Sequence, residues 1–264
     1  MEEATSRLLS QWGYDPAQFF FLAYGGMSTC YTDGTVVVKE HKWLDIAEKE
    51  IIALENLYEN PHVVNLCAGD FDTGTLLLEK VDDKGFKPVE HLALFKDAVE
   101  SIASYGDQVS DFVLQEDPFY SNGPGFYEPF HPLIVRFMQD RVMPVDFGPR
   151  VLCHGDLWHE NIMFDGDKVV FIDPSVQYQP LLVDLSFYVG RIIAYCDYGY
   201  EFLELIAREF ELDEYDLTTM SFLRIALNAS NYARKKEFGK ASLNLQAMTR
   251  IFRKVIVSDG VGTP

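Results

Sequence analysis

Cysteine is scarce and scattered in this 264-residue sequence: Cys30, Cys67, Cys153 and Cys196 lie far apart, with no Cys-x-x-Cys pair. That argues against a disulfide framework and predicts reduced, mostly buried thiols in a cytoplasmic protein. His41, His62, His91, His131 and His159 show no zinc-ligand spacing. No window reaches the ~18 uninterrupted apolar residues of a membrane span. The opening Met-Glu-Glu-Ala-Thr is acidic and leads into no apolar run, unlike a signal peptide. Positive charge is short, with 22 Lys and Arg against 41 Asp and Glu, net −19. That disfavours a nucleic-acid backbone or an anionic membrane as partner. No low-complexity tract or solenoid-like repeat is present, so neither disorder nor a repeat array is expected.

What is present is a chain rich enough in apolar residues, at 48%, to fill one large core or two smaller ones. The acid excess is uneven. Residues 1–80 are net −8, residues 81–176 net −10, and residues 177–264 net −1. Its plain consequence is solubility; its sharper one is a site that attracts a cationic small molecule.

Apolar periodicity divides the sequence. A short helix is expected over 3–11 and a strand over Phe19–Tyr24, broken by Gly25-Gly26. A strand over Cys30–Glu40 follows, with a turn or bulge at Asp33-Gly34. Helical spacing of Ile46, Glu50, Leu54 and Leu57 predicts a helix over 44–58. Strands over 64–70 and 75–81 complete a β-β-α-β-β unit. Beyond it, helices are expected over 89–105 and 133–141, with a loop over Pro118–Pro132 between them. Short strands follow at 162–164 and 169–172, then about four helices from Leu181 onward. The expected organisation is α+β: a β-rich part over 1–81, a hinge near 80–85, and a larger, mainly helical part over 82–264.

The segment that carries chemistry is His154-Gly155-Asp156-Leu157-Trp158-His159-Glu160-Asn161, followed by Phe171-Ile172-Asp173-Pro174. Phosphoryl transfer needs an in-line acceptor hydroxyl, metal ions on the phosphate oxygens, and a carboxylate to orient the hydroxyl and take its proton. Asp156 suits the last task. Asn161 and Asp173 offer hard oxygen ligands for Mg²⁺. The Asp-x4-Asn spacing is that of a kinase catalytic loop, and the predicted hairpin would return Asp173 beside Asn161. Upstream, Lys39 ends an apolar strand, where it could reach nucleotide phosphates. Glu50, on the apolar face of the next helix, needs a cationic partner, and Lys39 is the natural one. Glu48 is the alternative if the helix phase is shifted by about half a turn. Gly26, Ser28 and Thr29 lie in a turn whose backbone and hydroxyls could face phosphate, although the Gly-x-Gly-x-x-Gly pattern is missing.

These motifs resemble the aminoglycoside phosphotransferase and fructosamine kinase superfamily, which has the two-lobed protein-kinase-like fold. His-Gly-Asp-Leu-Trp-His-Glu-Asn is similar to its catalytic loop, and Trp158 is closest to the fructosamine kinase version. The resemblance implies ATP as phosphate donor with Mg²⁺, Asp156 as base, and Asn161 and Asp173 as metal ligands. It further implies Lys39 and Glu50 as the phosphate-anchoring pair, and Glu79 to Val81 as the stretch that meets adenine. His154 and Asp184 would support the loop. The implied acceptor is a small hydroxylated molecule, such as an amino sugar, an aminoglycoside or a ketosamine, and the acid excess favours a cationic one. A protein kinase is the less favoured reading, because Asp-Phe-Gly and Ala-Pro-Glu are both missing. A catalytically silent nucleotide-binding module is the other alternative. In the helical region after 185, Tyr188, Tyr195, Tyr198 and Tyr200 precede Glu201, Glu204, Glu209, Glu211 and Asp213. They suit an acceptor pocket, or amphipathic helices with a solvated acidic face.

Overall fold

The structure is a computed structural model that describes residues 1–106, 147–196 and 198–258. The expected helix over 133–141 and loop over 118–132 lie outside them. Two compact units divide the chain: Met1–Leu114 with Asn161–Val176, and Gln115–Glu160 with Gln177–Pro264.

The first unit is built on a five-stranded antiparallel sheet. Its strands are β1 (Phe20–Tyr24), β2 (Ser28–Thr32), β3 (Val36–His41), β4 (Leu66–Asp70) and β5 (Thr75–Glu79), in the spatial order β1-β2-β3-β5-β4. The single strand expected over 30–40 is in fact the hairpin β2–β3, so the unit runs β-β-β-α-β-β. The reason is local: the Asp33 carboxylate accepts from the backbone N–H groups of Thr35 and Val36, and Gly34 takes a left-handed φ of 99°. This side-chain-capped turn reverses the chain outright.

Side chains alternate across β3. Val36 and Val38 pack with Leu9 and Leu77 in a core that helix α1 (Glu3–Gln11) helps to close. Lys39 and His41 point to the opposite face, toward helix α2 (Leu44–Asn56). There Ala47, Glu50, Ile51, Ala53 and Leu54 are buried. The approach is close: a Cβ on Gly69 of β4 would lie 3.1 Å from the Ile51 side chain.

The hairpin of β7 (Ile162–Phe164) and β8 (Val169–Phe171) belongs to this same unit. It is tied to the chain that follows α2. The Phe171 N–H donates to the His62 carbonyl at 2.8 Å, and the Val64 N–H donates to the Phe171 carbonyl at 3.0 Å. Helix α3 (Leu92–Ser104) packs Phe95 edge-on against Phe171.

The second unit is mainly helical, with α4 (Leu181–Tyr195), α5 (Tyr200–Glu209), α6 (Glu214–Arg234) and α7 (Phe238–Ser258). These are the four helices expected from Leu181 onward. A two-stranded pairing of β6 (Arg150–Cys153) with β9 (Gln177–Pro180) was not expected from the sequence. Both strands are too short to show a period of two.

Among the cysteines only Cys153 is buried. Cys30 and Cys196 are half-buried and Cys67 is exposed, so the expectation of mostly buried thiols is corrected; all four are free. No helix among the described residues is long and apolar enough to cross a membrane.

Candidate active site

Lys39 sits where β3 passes α2, and its ammonium is bonded on two sides. It donates to both Glu50 carboxylate oxygens at 2.8 and 2.7 Å and pairs with Asp173 Oδ1 at 2.7 Å. Lys39 and Glu50 are both buried. Burial alone would discharge Lys39, but the two carboxylates outweigh it and hold its pKa above the ordinary lysine value. Burial likewise opposes the charge on Glu50. Lys39 and a bond from His41 outweigh it, so the carboxyl stays below the usual range. Glu48, the alternative partner, is exposed.

His41 is a participant that sequence reasoning missed. Its Nε2 lies 2.8 Å from Glu50 Oε2. The signal was available, since His41 follows Lys39 by two residues and so shares its strand face.

Asp173 and Asn161 are brought together by the β7–β8 hairpin. The Ile172 N–H donates to the Asn161 carbonyl at 3.0 Å, directly beyond the last strand pair, Ile162 with Phe171. Asn161 is buried, whereas the Asp173 side chain is 41% exposed. Asp173 also has a left-handed φ of 55°, a conformation that costs energy for a residue with a Cβ and that clusters at functional sites. One amide oxygen and one carboxylate at the end of a hairpin suit Mg²⁺, which takes few protein ligands and completes its shell with water and phosphate.

The turn between β1 and β2 is pinned by the Gly25 N–H, which donates to the Ser28 carbonyl at 2.9 Å. Ser28 is buried, Thr29 half-buried and Gly26 exposed. A Cβ on Gly25 would come within 2.7 Å of Ser28 Oγ, whereas one on Gly26 would meet nothing within 4 Å. The protein's own packing therefore asks for glycine at 25 and not at 26. At the end of β5, the exposed Glu79 accepts from the Asn65 side chain at 2.7 Å. Glu79 and Val81 line a cavity of about 280 Å³, together with Tyr58, Asn60, Asp165 and Lys168. Lys39, Glu50, Asn161 and Asp173 take no part in its lining.

Asp156 belongs to the second unit, in the loop that leaves β6. Gly155 turns that loop with a φ of 82°. Asp184, in the first turn of α4, is fully buried and shapes the loop from beneath. It accepts from the His154 and Gly155 N–H groups at 3.1 and 3.2 Å. Burial raises its carboxyl to about 7. The Asp156 N–H in turn donates to His154 Nδ1 at 3.3 Å.

Two residues on, the Trp158 ring carries the Arg191 guanidinium 4.6 Å from its centroid and meets Tyr195 edge-on at 6.4 Å. His159 is pushed below the ordinary histidine value, by burial first and then by the Arg191 charge. The carboxylates after Tyr200 occupy exposed or half-buried positions, and Asp213 caps α6 by accepting from the Asp216 N–H. They behave as a solvated helix face. Among the described residues, no cluster of three or more His, Cys, Asp or Glu could hold a metal ion.

Residues 131–195 match the Fructosamine kinase family. No curated protein sequence matches the chain. Three solved structures superpose over almost the whole length. APH(2″)-IIia in complex with GDP and kanamycin gives a TM-score of 0.71 at 13% identity, covering 95% of this chain and 98% of that one. A choline/ethanolamine kinase family protein from Mesorhizobium loti gives 0.68 at 12% identity, covering 94% of each. Aminoglycoside phosphotransferase APH(4)-Ia with ADP and hygromycin B gives 0.66 at 13%, covering 99% and 100%. The chain thus has the protein-kinase-like fold of these phosphotransferases, and its His154–Asn161 segment lies within the stretch that resembles fructosamine kinase.

Proposed function

We propose that this protein is an ATP-dependent kinase that transfers the γ-phosphoryl group to a hydroxyl of a small molecule. The observation that carries the reading is the buried Lys39 ammonium held at once by Glu50 of α2 and by Asp173 beyond the β7–β8 hairpin. A lysine so placed is charged, oriented and backed by carboxylates, as phosphate anchoring requires. The backbone bond from Ile172 to Asn161, next to Asp173, supports reading Asn161 and Asp173 as the oxygen donors to Mg²⁺.

In this reading residues 1–81 bind the nucleotide. Gly26, Ser28 and Thr29 face its phosphates, and Glu79 and Val81 meet the adenine. Lys39 anchors the α- and β-phosphates and is kept in place by Glu50. Mg²⁺ bound at Asn161 and Asp173 would neutralise charge on the phosphate oxygens. Asp156 orients the acceptor hydroxyl and takes its proton as the oxygen bonds to the γ-phosphorus and ADP departs. Electrostatic positioning supplies the rate, with no covalent enzyme intermediate.

The acceptor classes suggested by the family match and the structural neighbours are ketosamines, amino sugars and aminoglycosides. The test is Mg²⁺-dependent ADP release measured against those classes and neutral sugars. Acceptor-stimulated release that requires Asp156 supports the reading. Release that survives Asp156→Ala rejects it.

A further inference from the structure

One face of α4 runs along the His154–Glu160 loop. Asp184, Phe187, Arg191 and Tyr195 recur on it at helical spacing. Asp184 holds the backbone of His154 and Gly155, while Arg191 and Tyr195 meet the Trp158 ring. The Arg191 guanidinium lies 4.6 Å from the centroid of Trp158 and 4.8 Å from that of Phe187. Both distances run from the guanidinium carbon to a ring centroid, so the cation sits against two aromatic rings. Rings supply no hydrogen-bond acceptor in the plane of the guanidinium, so its N–H groups need partners elsewhere.

No such acceptor is present among the described residues. Arg191 Nε is buried with no hydrogen-bond partner, and no carboxylate pairs with the guanidinium. Arg224, on α6 and 5.9 Å from the Phe187 ring, differs in this respect because its charge faces Asp184. The groups that sense Arg191 include the His159 ring, the Tyr195 hydroxyl and the Lys240 ammonium, and none of them supplies an anion at neutral pH. The carboxylate beside His159 is that of Glu160, an exposed residue. Among the described residues, this half-buried cation, set against the ring of Trp158 two residues beyond Asp156, forms no ion pair with a carboxylate. Leaving a buried charge unpaired is costly, and an incoming anion relieves the cost.

We infer that the acceptor carries an anionic group, a carboxylate or a phosphate, and that the guanidinium edge of Arg191 binds it while Asp156 addresses the hydroxyl. The inference rests on the kinase reading and narrows its substrate class. It departs from the cationic acceptor expected from the net charge, whose acid excess lies almost wholly before residue 177. Planar, two-point recognition of an oxyanion is what arginine does better than lysine.

Two readouts test it on the full-length protein with saturating ADP or ATP. Calorimetric titration with gluconate, glucose 6-phosphate, glucose and glucosamine measures binding without turnover. A turnover panel pairs sugar acids, sugar phosphates and hydroxy amino acids with their neutral and amino counterparts. Both are run on wild type, Arg191→Met, which retains an apolar stem against the rings, and Arg191→Lys; melting curves confirm that each variant folds.

The expected result is anion binding at least about tenfold tighter in wild type than in Arg191→Met, with Arg191→Lys in between. Turnover of anionic acceptors falls in parallel. Preference for gluconate or for glucose 6-phosphate separates a carboxylate from a phosphate. Equal anion affinity in wild type and Arg191→Met overturns the inference, whether or not turnover is seen. So does an equal loss with neutral and anionic acceptors together with a raised KM for ATP, which would assign the guanidinium to the transferred phosphoryl group. Anion binding that depends on Arg191, with no acceptor-stimulated turnover at all, would reject the kinase reading and leave the anion site standing.

Discussion

Lys39 and Glu50 meet through both carboxylate oxygens, at 2.8 and 2.7 Å from one ammonium, with both residues buried. Removing either partner strands a charge in the core. Lys39→Met is expected to cost about 3 kcal/mol of unfolding free energy, the low end for breaking a buried pair, because His41 remains on Glu50. Urea denaturation measures it. A variant as stable as wild type would show that the pair is not held under charge.

The glycine turn offers a test that separates folding from nucleotide binding. Gly26→Ala introduces a Cβ that meets no protein atom. Its melting temperature should match wild type, while the KM for ATP should rise several-fold if phosphate approaches this backbone. An unchanged KM would remove the turn from the nucleotide site.

Asp184 gives a pH dependence with a definite sign. Its carboxyl is raised from 3.8 to about 7 by burial, so between those values the folded state holds a proton that the unfolded state has lost. Its contribution to stability is full below about 4 and declines as pH rises toward 7. Asp184→Asn removes this decline. The variant's stability relative to wild type should therefore increase between pH 4 and 7 and level off above. A flat difference across that window contradicts the assignment.

At Asp173, replacement by Asn keeps size and removes charge. The half-saturating Mg²⁺ concentration for turnover should rise, with little loss of nucleotide affinity measured without metal. Because the side chain is 41% exposed, its bond to Lys39 is screened by solvent and little stability should be lost. Unaltered Mg²⁺ dependence would remove Asp173 from the ligand set.

Much of this arrangement was legible in the sequence because it rests on local periodicity and on motif spacing. Glu50 could be picked out because helical phase puts it with Leu54 on the apolar face. The hairpin that returns Asp173 could be read from Asp165-Gly166-Asp167 between two apolar runs. Other features depend on partners remote in the sequence. The β6–β9 pairing joins four-residue strands across more than twenty residues. The division of β2 from β3 depends on how the Asp33 carboxylate bonds, which a strand pattern does not reveal. Arg191 belongs to no motif and carries no signal in the sequence. Only its contacts with the Trp158 and Phe187 rings give it meaning.

In the proposed mechanism, phosphoryl transfer to a small-molecule hydroxyl depends on the Asp156 carboxylate. The most direct measurement is phosphorus-31 NMR of Mg²⁺-ATP with the acceptor panel, wild type beside Asp156→Asn. A new phosphate-ester signal is expected with wild type, and its near-complete loss in a variant that still binds ATP. A phosphate-ester signal of equal size from Asp156→Asn would contradict the mechanism.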